Sequence, residues 1–332
     1  METRRVMSEL DDMKGKVLRA FAPASTGNVS LGFDILGAAL KPIDGTVLGD
    51  EVDLELASEF SLEVKGAFAH KLPADHDTNI VTCCYRHFVS VLSDKGVNLP
   101  AVKMTLHKHL PIGSGLGSSA ASVVAALHGL NEFYGRVLGE VPFNQHQLLL
   151  IMGELEGQIS GSVAPCYLGG LTLMAEQGDT LALQLPTFKH WYWVACYSGI
   201  SVSTAAARDI LPKQVPMANT LKFGRQLAVF VDALYRQDEK LAVSMMTDVI
   251  AEPYRKSLLP YFDESRQFAM QNGALAFGIS GSGPTVFAVC DDLTQAQAIS
   301  TWLAENYIQN DTGFSHVCQL DEQGAVVTNA NA

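Results

Sequence analysis

Pro111-Ile112-Gly113-Ser114-Gly115-Leu116-Gly117-Ser118-Ser119-Ala120-Ala121-Ser122 is the stretch from which the rest of the chain can be read. Before it, Ala101–Leu110 (A-V-K-M-T-L-H-K-H-L) alternates as a strand, and Pro111 stops it. His107 and His109 fall on the wet face of that strand and read as solvated side chains. After it, Ala120–Tyr134 is small and apolar at helical spacing. Alternating glycines at this junction let the backbone turn tightly, with amide N–H groups free to point at an anion. Ser118 and Ser119 fall at the helix start, where unpaired N–H groups and the helix dipole favour phosphate. A hydroxyl there can also ligate the magnesium that accompanies a nucleotide. A Walker A loop would end in Gly-Lys-Ser/Thr, and no lysine stands here. A dinucleotide fingerprint would need a third glycine where Ser118 stands, and would lie on the first strand. The competing reading is a flexible turn capped by serine, but helix caps rarely need so many glycines.

Working outward, the 332 residues suggest two domains or one large one, at about 100–200 residues per domain. With 48% hydrophobic and 17% charged residues, a sizeable core is available and intrinsic disorder is not expected. The net charge of −12 argues against a nucleic-acid binder, whose surface must neutralise phosphates. It leaves an anionic small molecule open, because a few local cations or a helix N-terminus suffice. The longest apolar runs are too short to span a membrane. Met1–Gly15 is polar, lacks a signal-peptide core and reads as a short disordered lead. The six cysteines form no C-x-x-C pair and the nine histidines show no metal spacing. A disulfide or zinc framework is therefore not expected, and a reducing cytoplasm is.

Strand patterns cover Lys16–Ala22, ending at Pro23, and Val52–Leu56, with Leu62–Val64 expected to pair with the latter. Further strands are expected at Leu171–Met174, Leu181–Leu185, Trp191–Cys196 and after Gly278. Helical spacing marks Asn79–Leu92, Gln145–Leu155, 204–211, 219–236, 238–249, 261–271 and 293–305. Strands and helices mix without regular βαβ alternation, which favours an α+β fold. The domain boundary is expected near 175–190, giving an ATP-binding domain over 16–180 and a substrate-binding domain over 181–332.

Two other stretches share the theme of the central loop. They are Ala22-Pro23-Ala24-Ser25-Thr26-Gly27-Asn28-Val29-Ser30-Leu31-Gly32-Phe33-Asp34-Ile35-Leu36-Gly37 and Gly278-Ile279-Ser280-Gly281-Ser282-Gly283-Pro284-Thr285. In this order and at these separations, the trio resembles the small-molecule kinase superfamily that includes galactokinase, homoserine kinase, mevalonate kinase and phosphomevalonate kinase. The resemblance covers roughly residues 17–320. The first motif, A-P-A-S-T-G-N, lacks the lysine of mevalonate kinases and the Arg-x-Asn of galactokinases. With G-E-L-E-G (153–157), V-A-P-C-Y-L-G-G (163–170), V-S-T-A-A-A-R (202–208) and A-E-P-Y-R (251–255), the detail is similar to the homoserine kinase branch.

That resemblance implies transfer of the ATP γ-phosphate to the side-chain hydroxyl of L-homoserine, a step in threonine biosynthesis. It implies a ribosomal-protein-S5-like N-terminal domain, a ferredoxin-like C-terminal domain, a site between them, and a homodimer. The ATP loop would be Pro111–Ala121, supported by Gly281, Ser282 and Gly283. Mg2+ would be held by Ser119 and Glu156, oxygen donors of the kind it prefers. Glu154, two residues away, is expected to face elsewhere. Arg208 and Arg255 would bind the substrate carboxylate, a task that suits the planar guanidinium fork. Asp34 would take the ammonium and Asn28 a further hydrogen bond. Thr204 could bond the acceptor hydroxyl, or be a simple helix-start threonine. No general base is evident, and phosphoryl transfer needs positioning and charge neutralisation more than a strong base. One departure stands out. The family's short His/Asp/Asn loop before V-A-P has no counterpart, since Ser160-Gly161-Ser162 runs directly into Val163-Ala164-Pro165. Alternatives are a superfamily kinase for a different small hydroxy-carboxylate, or a catalytically impaired binding regulator.

Overall fold

A computed structural model describes residues 13–73, 75–157, 161–177 and 179–330. The expected lead lies outside the described residues as far as residue 12. The first half runs β1 (Leu18–Thr26), β2 (Leu36–Pro42), β3 (Gly49–Leu56), β4 (Ser61–Lys65), α1 (Ile80–Ser93), β5 (Val102–His107), α2 (Ser118–Leu138), α3 (Gln145–Glu156) and α4 (Val163–Leu168). It continues through β6 (Leu171–Gln177), β7 (Thr180–Leu185), β8 (Tyr192–Tyr197), α5 (Thr204–Asp209), α6 (Met217–Arg236), α7 (Glu239–Met245) and α8 (Glu252–Arg255). The last part is α9 (Phe262–Gln271), β9 (Ala276–Ile279), β10 (Val286–Cys290), α10 (Leu293–Asn306), β11 (Phe314–Leu320) and β12 (Val326–Asn329). The fold class is α+β, as the sequence implies. No helix among the described residues is long and apolar enough to cross a membrane.

The strands form one path, β4-β5-β3-β1-β2-β11-β8-β10-β9, with β12 on β1 and the β6–β7 pair attached through β2. β1 is the pivot. Leu18–Pro23 pairs with β3, whereas Ala24–Thr26 pairs with β2. Pro23, expected to end the strand, sits instead at this change of partner, where a missing N–H breaks no ladder. β4 does not pair with β3 as expected. It lies parallel to β5, and β5 takes the antiparallel place beside β3. A parallel neighbour needs a long crossover, which α1 supplies.

Val52 and Leu54 on β3 and Met104 and Leu106 on β5 alternate onto one face and are fully buried, with β3 packed against α2. Each such side chain contributes roughly 1.5–3 kcal/mol. α2 comes so close that a Cβ at Gly129 would meet Leu54 at 2.7 Å and Ala20 at 3.0 Å. A second cluster, including Val194, Phe277, Ile299 and Tyr307, packs β8–β10 against α9 and α10. β11 pairs with β2 on one side and β8 on the other, so both halves share one hydrogen-bonded sheet. α7 stops at Met245, short of the expected 249. The reason is Asp248, whose carboxylate accepts the N–H groups of Ile250, Ala251 and Glu252 and starts α8 instead.

Candidate active site

The glycine-rich loop turns as its composition requires. Gly113, Gly115 and Gly117 have φ of +68°, +78° and +65°, a region that L side chains rarely enter. α2 begins at Ser118 with Gly117 as its N-cap, so the N–H groups of its first turn have no intrahelical acceptor. The second glycine-rich loop clasps the first. Ser280 Oγ donates to Gly115 O at 2.7 Å, and Thr285 N–H donates to Ser114 O at 3.1 Å. A Cβ on Gly115 would meet Ser280 O at 2.2 Å, so only glycine fits between the loops. The 201–204 segment is tied on as well, Val202 N–H to Gly113 O at 3.0 Å and Ser201 Oγ to Ile112 O at 3.1 Å.

These loops open onto a cavity of about 640 Å³. Ile112, Gly113, Ser114, Gly115, Gly117, Ser118, Ser119 and Ala120 line it, with Glu156, Gly281 and Ser282. Asp34, Thr204, Arg208 and Arg255 line it too, so most of the expected residues are brought to one place. Pro111, Leu116, Ala121 and Gly283 are not among the lining residues, and Leu116 and Ala121 are fully buried. Asn28 is also outside the lining. It is 3% exposed, its Nδ2 donates to Ile279 O at 2.9 Å, and its Oδ1 accepts Ser30 N–H at 3.0 Å. Its amide is spent on tethering the first motif to β9 rather than offered to a ligand.

Beneath the loop lies a buried cation that the motif reading missed. Lys108, 1% exposed, pairs with Asp50 and donates to Ser118 O at 2.7 Å and Ser122 Oγ at 2.9 Å. Asp50 also accepts the N–H groups of His109 and Leu110, both at 3.0 Å. These bonds draw the chain off the β5 ladder after His107 and aim it into the loop. The signal was available in the strand alternation. Lys108 follows Met104 and Leu106 in the core-facing register, and Asp50 precedes Val52 and Leu54. Opposite charges at core positions beside a glycine loop announce a buried pair.

Ser119 Oγ donates to Glu156 Oε1 at 2.6 Å across the mouth of the loop. Burial pushes the Glu156 carboxyl above the usual carboxylate range, against the pull of Ser119 and Lys108. A largely desolvated carboxylate beside a hydroxyl fits a hard divalent cation, which would favour its charged form. Glu154 points away, to His87 Nε2 at 3.4 Å.

Among the other lining residues, Arg208 Nη2 lies 3.3 Å from Asp34 Oδ2. Ser203 caps α5 by accepting Ala206 N–H at 3.0 Å, and Arg208 rides on that helix. Arg255 is 4% exposed and braced, with Nε on Ala207 O at 3.0 Å, Nη1 on Gly281 O at 2.8 Å and the Phe33 ring 4.7 Å away. Burial lowers its pKa, with Asp34 and Asp248 opposing. Pro253 sits in the first turn of α8, as its sequence position suggests. A third wall, of Leu72, Pro73, Thr78, Asn79 and Ile80, was not foreseen. Asn79 caps α1 through its Oδ1, and its Nδ2 is buried with no partner among the described residues. After Gly161 and Ser162, which line the cavity, the chain enters α4 directly at Val163.

Residues 79–170 match the GHMP kinases N-terminal domain, and residues 230–309 match GHMP kinases C terminal. Among solved structures, homoserine kinase from Cytophaga hutchinsonii is 31% identical, with a TM-score of 0.82 over 94% of this chain and 97% of that one. A putative homoserine kinase from Listeria monocytogenes is 25% identical, with a TM-score of 0.67 over 94% and 99%. L. major mevalonate kinase in complex with R-mevalonate shares the fold at 17% identity, with a TM-score of 0.62 over 90% and 95%.

Proposed function

Because this chain belongs to the GHMP kinases, a family of ATP-dependent small-molecule kinases, we propose that it phosphorylates the side-chain hydroxyl of L-homoserine. The observation that carries this reading is the Asp34–Arg208 pair and braced Arg255, lining the same cavity as Glu156 and the glycine-rich loop. An amino acid is the ligand class whose two charges satisfy both partners. Its carboxylate takes Arg255 and Arg208, and its ammonium takes Asp34. A carboxylate lacking an ammonium, such as mevalonate, would leave Asp34 without compensation once Arg208 turned to the ligand.

In this reading the α2 N-terminus and the loop amides cradle the phosphates, with Lys108 adding positive charge from below. Asn79 Nδ2, unpartnered among the described residues, and the apolar wall beside it receive the nucleoside end. Ser119 Oγ and Glu156 would hold magnesium, which when bound neutralises charge on the phosphates. Thr204 holds the acceptor hydroxyl for in-line attack. Asn28 acts as a tether.

The test is ADP release with Mg-ATP and homoserine, mevalonate, galactose or no acceptor. Homoserine-dependent turnover is the expected result. Turnover with another acceptor alone would transfer the proposal to that substrate. The direct passage from Ser162 into α4 favours one second reading, a nucleotide-binding protein with impaired transfer. ATP binding with no turnover for any acceptor would establish it. We further expect Glu156→Gln to lower kcat/KM for Mg-ATP by about 100-fold, and Ser119→Ala to weaken Mg-ATP use less. Unchanged steady-state constants in both variants would remove these residues from the cation shell.

A further inference from the structure

The outer face of the β5–β3–β1 sheet carries a cluster of ionisable groups that the cavity does not use. Glu51 and His107 stand directly opposite each other in the β3–β5 ladder. His109, two residues further on, falls on the same side as His107. One possible ligand atom from each of the three lies within 4.8 Å of the other two. His109 Nε2 is 3.4 Å from Glu51 Oε2, and the two imidazoles are nearly parallel, 6.2 Å apart at 16°. All three side chains are half-buried. The hydrogen-bonded ladder fixes the backbone beneath Glu51 and His107, so a ligand would require only side-chain adjustment.

We propose that Glu51, His107 and His109 form a binding site for a borderline transition-metal dication, with Zn2+ as the reference ion. Two imidazoles and one carboxylate suit Zn2+, Ni2+ or Cu2+, whereas Mg2+ and Ca2+ prefer oxygen donors. Tetrahedral bonds of about 2.1 Å place ligand atoms about 3.4 Å apart. His109 Nε2 and Glu51 Oε2 are already at that spacing, and the remaining pairs lie within 4.8 Å. Water takes the remaining position, as in other three-ligand sites.

Arg19 sets the affinity. It grips Asp53 through Nε at 2.6 Å and Nη2 at 2.7 Å, a bidentate pair that occupies most of its charge. Its Nη1 is 3.6 Å from Glu51 Oε2 and its Nη2 is 3.4 Å from His107 Nε2, so it competes with an incoming cation. His107 also gives up its 2.9 Å contact with Asp53 to bind metal. Micromolar rather than nanomolar affinity follows. The ligands alternate along their strands with Asp50 and Lys108, which point to the opposite side under the phosphate loop, so this site is distinct from the cation position at Ser119 and Glu156.

The metal-free full chain is titrated with Zn2+ against a chromophoric chelator in excess Mg2+, and with Co2+ as a spectroscopic probe. One ion per chain is expected, with nitrogen and oxygen ligation and no thiolate charge-transfer band from the six cysteines. His107→Ala and His109→Ala should each weaken Zn2+ by about 10-fold or more, Glu51→Gln by a similar factor, and His190→Ala not at all. Circular dichroism and thermal melting establish that the variants are folded. Thiolate bands, no binding tighter than millimolar, or a His107→Ala/His109→Ala double variant that keeps its affinity within about twofold would overturn the site.

Discussion

Lys108→Met should lower the unfolding free energy by about 3–5 kcal/mol, far more than any surface lysine. The ammonium is buried with Asp50, Ser118 O and Ser122 Oγ around it, and its removal leaves the Asp50 carboxylate without a counter-charge. Asp50→Leu should cost at least as much, because it strands the ammonium and also orphans the N–H groups of His109 and Leu110. The double variant should recover part of the sum, since two apolar side chains leave no isolated charge. Urea titrations of the four proteins give the coupling directly. If each single variant loses less than about 1 kcal/mol, the pair is not the buried support described here. Nucleotide affinity should fall in Lys108→Met even where the protein is folded, because the charge under the loop is gone.

Arg255→Ala is expected to raise KM for homoserine by about 100-fold while KM for ATP changes by less than about threefold, a charged hydrogen bond being worth about 1.5–3 kcal/mol. Arg255→Lys should recover little, since an ammonium cannot reach Ala207 O, Gly281 O and a substrate carboxylate with one planar fork. The arginine also braces α5 and the second glycine-rich loop, so thermal melting must accompany the kinetics. A loss carried mainly by ATP would place Arg255 in the nucleotide half and contradict the assignment. Arg208, exposed and paired among the described residues with Asp34 alone, should show a smaller loss.

Much of this site was legible because its parts are local. The three left-handed glycines, the helix start at Ser118, the Ser203 cap and the proline at the head of α8 are decided within a few residues of themselves. Asn28 was not legible in this way. Its motif position suggested a ligand, but its amide is engaged by Ile279, far along the chain. Lys108 and Asp50 lay in between. Each register could be read, but their meeting depended on β5 pairing with β3. The wall at 72–80 was read only as a helix, because nothing local marks which face of a cap residue meets a cavity.

By itself, the sequence determined the α+β class, the glycine-rich turn into α2 and most of the residue types that line the cavity. Those follow from short-range backbone preference and from hydrophobic periodicity, both written in consecutive residues. Only the tertiary structure decided the strand order, in which β4 runs parallel to β5 and β12 returns to β1 from the far end of the chain. It alone decided that Asp34 meets Arg208, that the two glycine loops interlock, and that Glu51, His107 and His109 converge. Such meetings depend on which long-range pairings bury the most apolar surface while satisfying every backbone donor, a condition that belongs to the whole chain and to no segment of it.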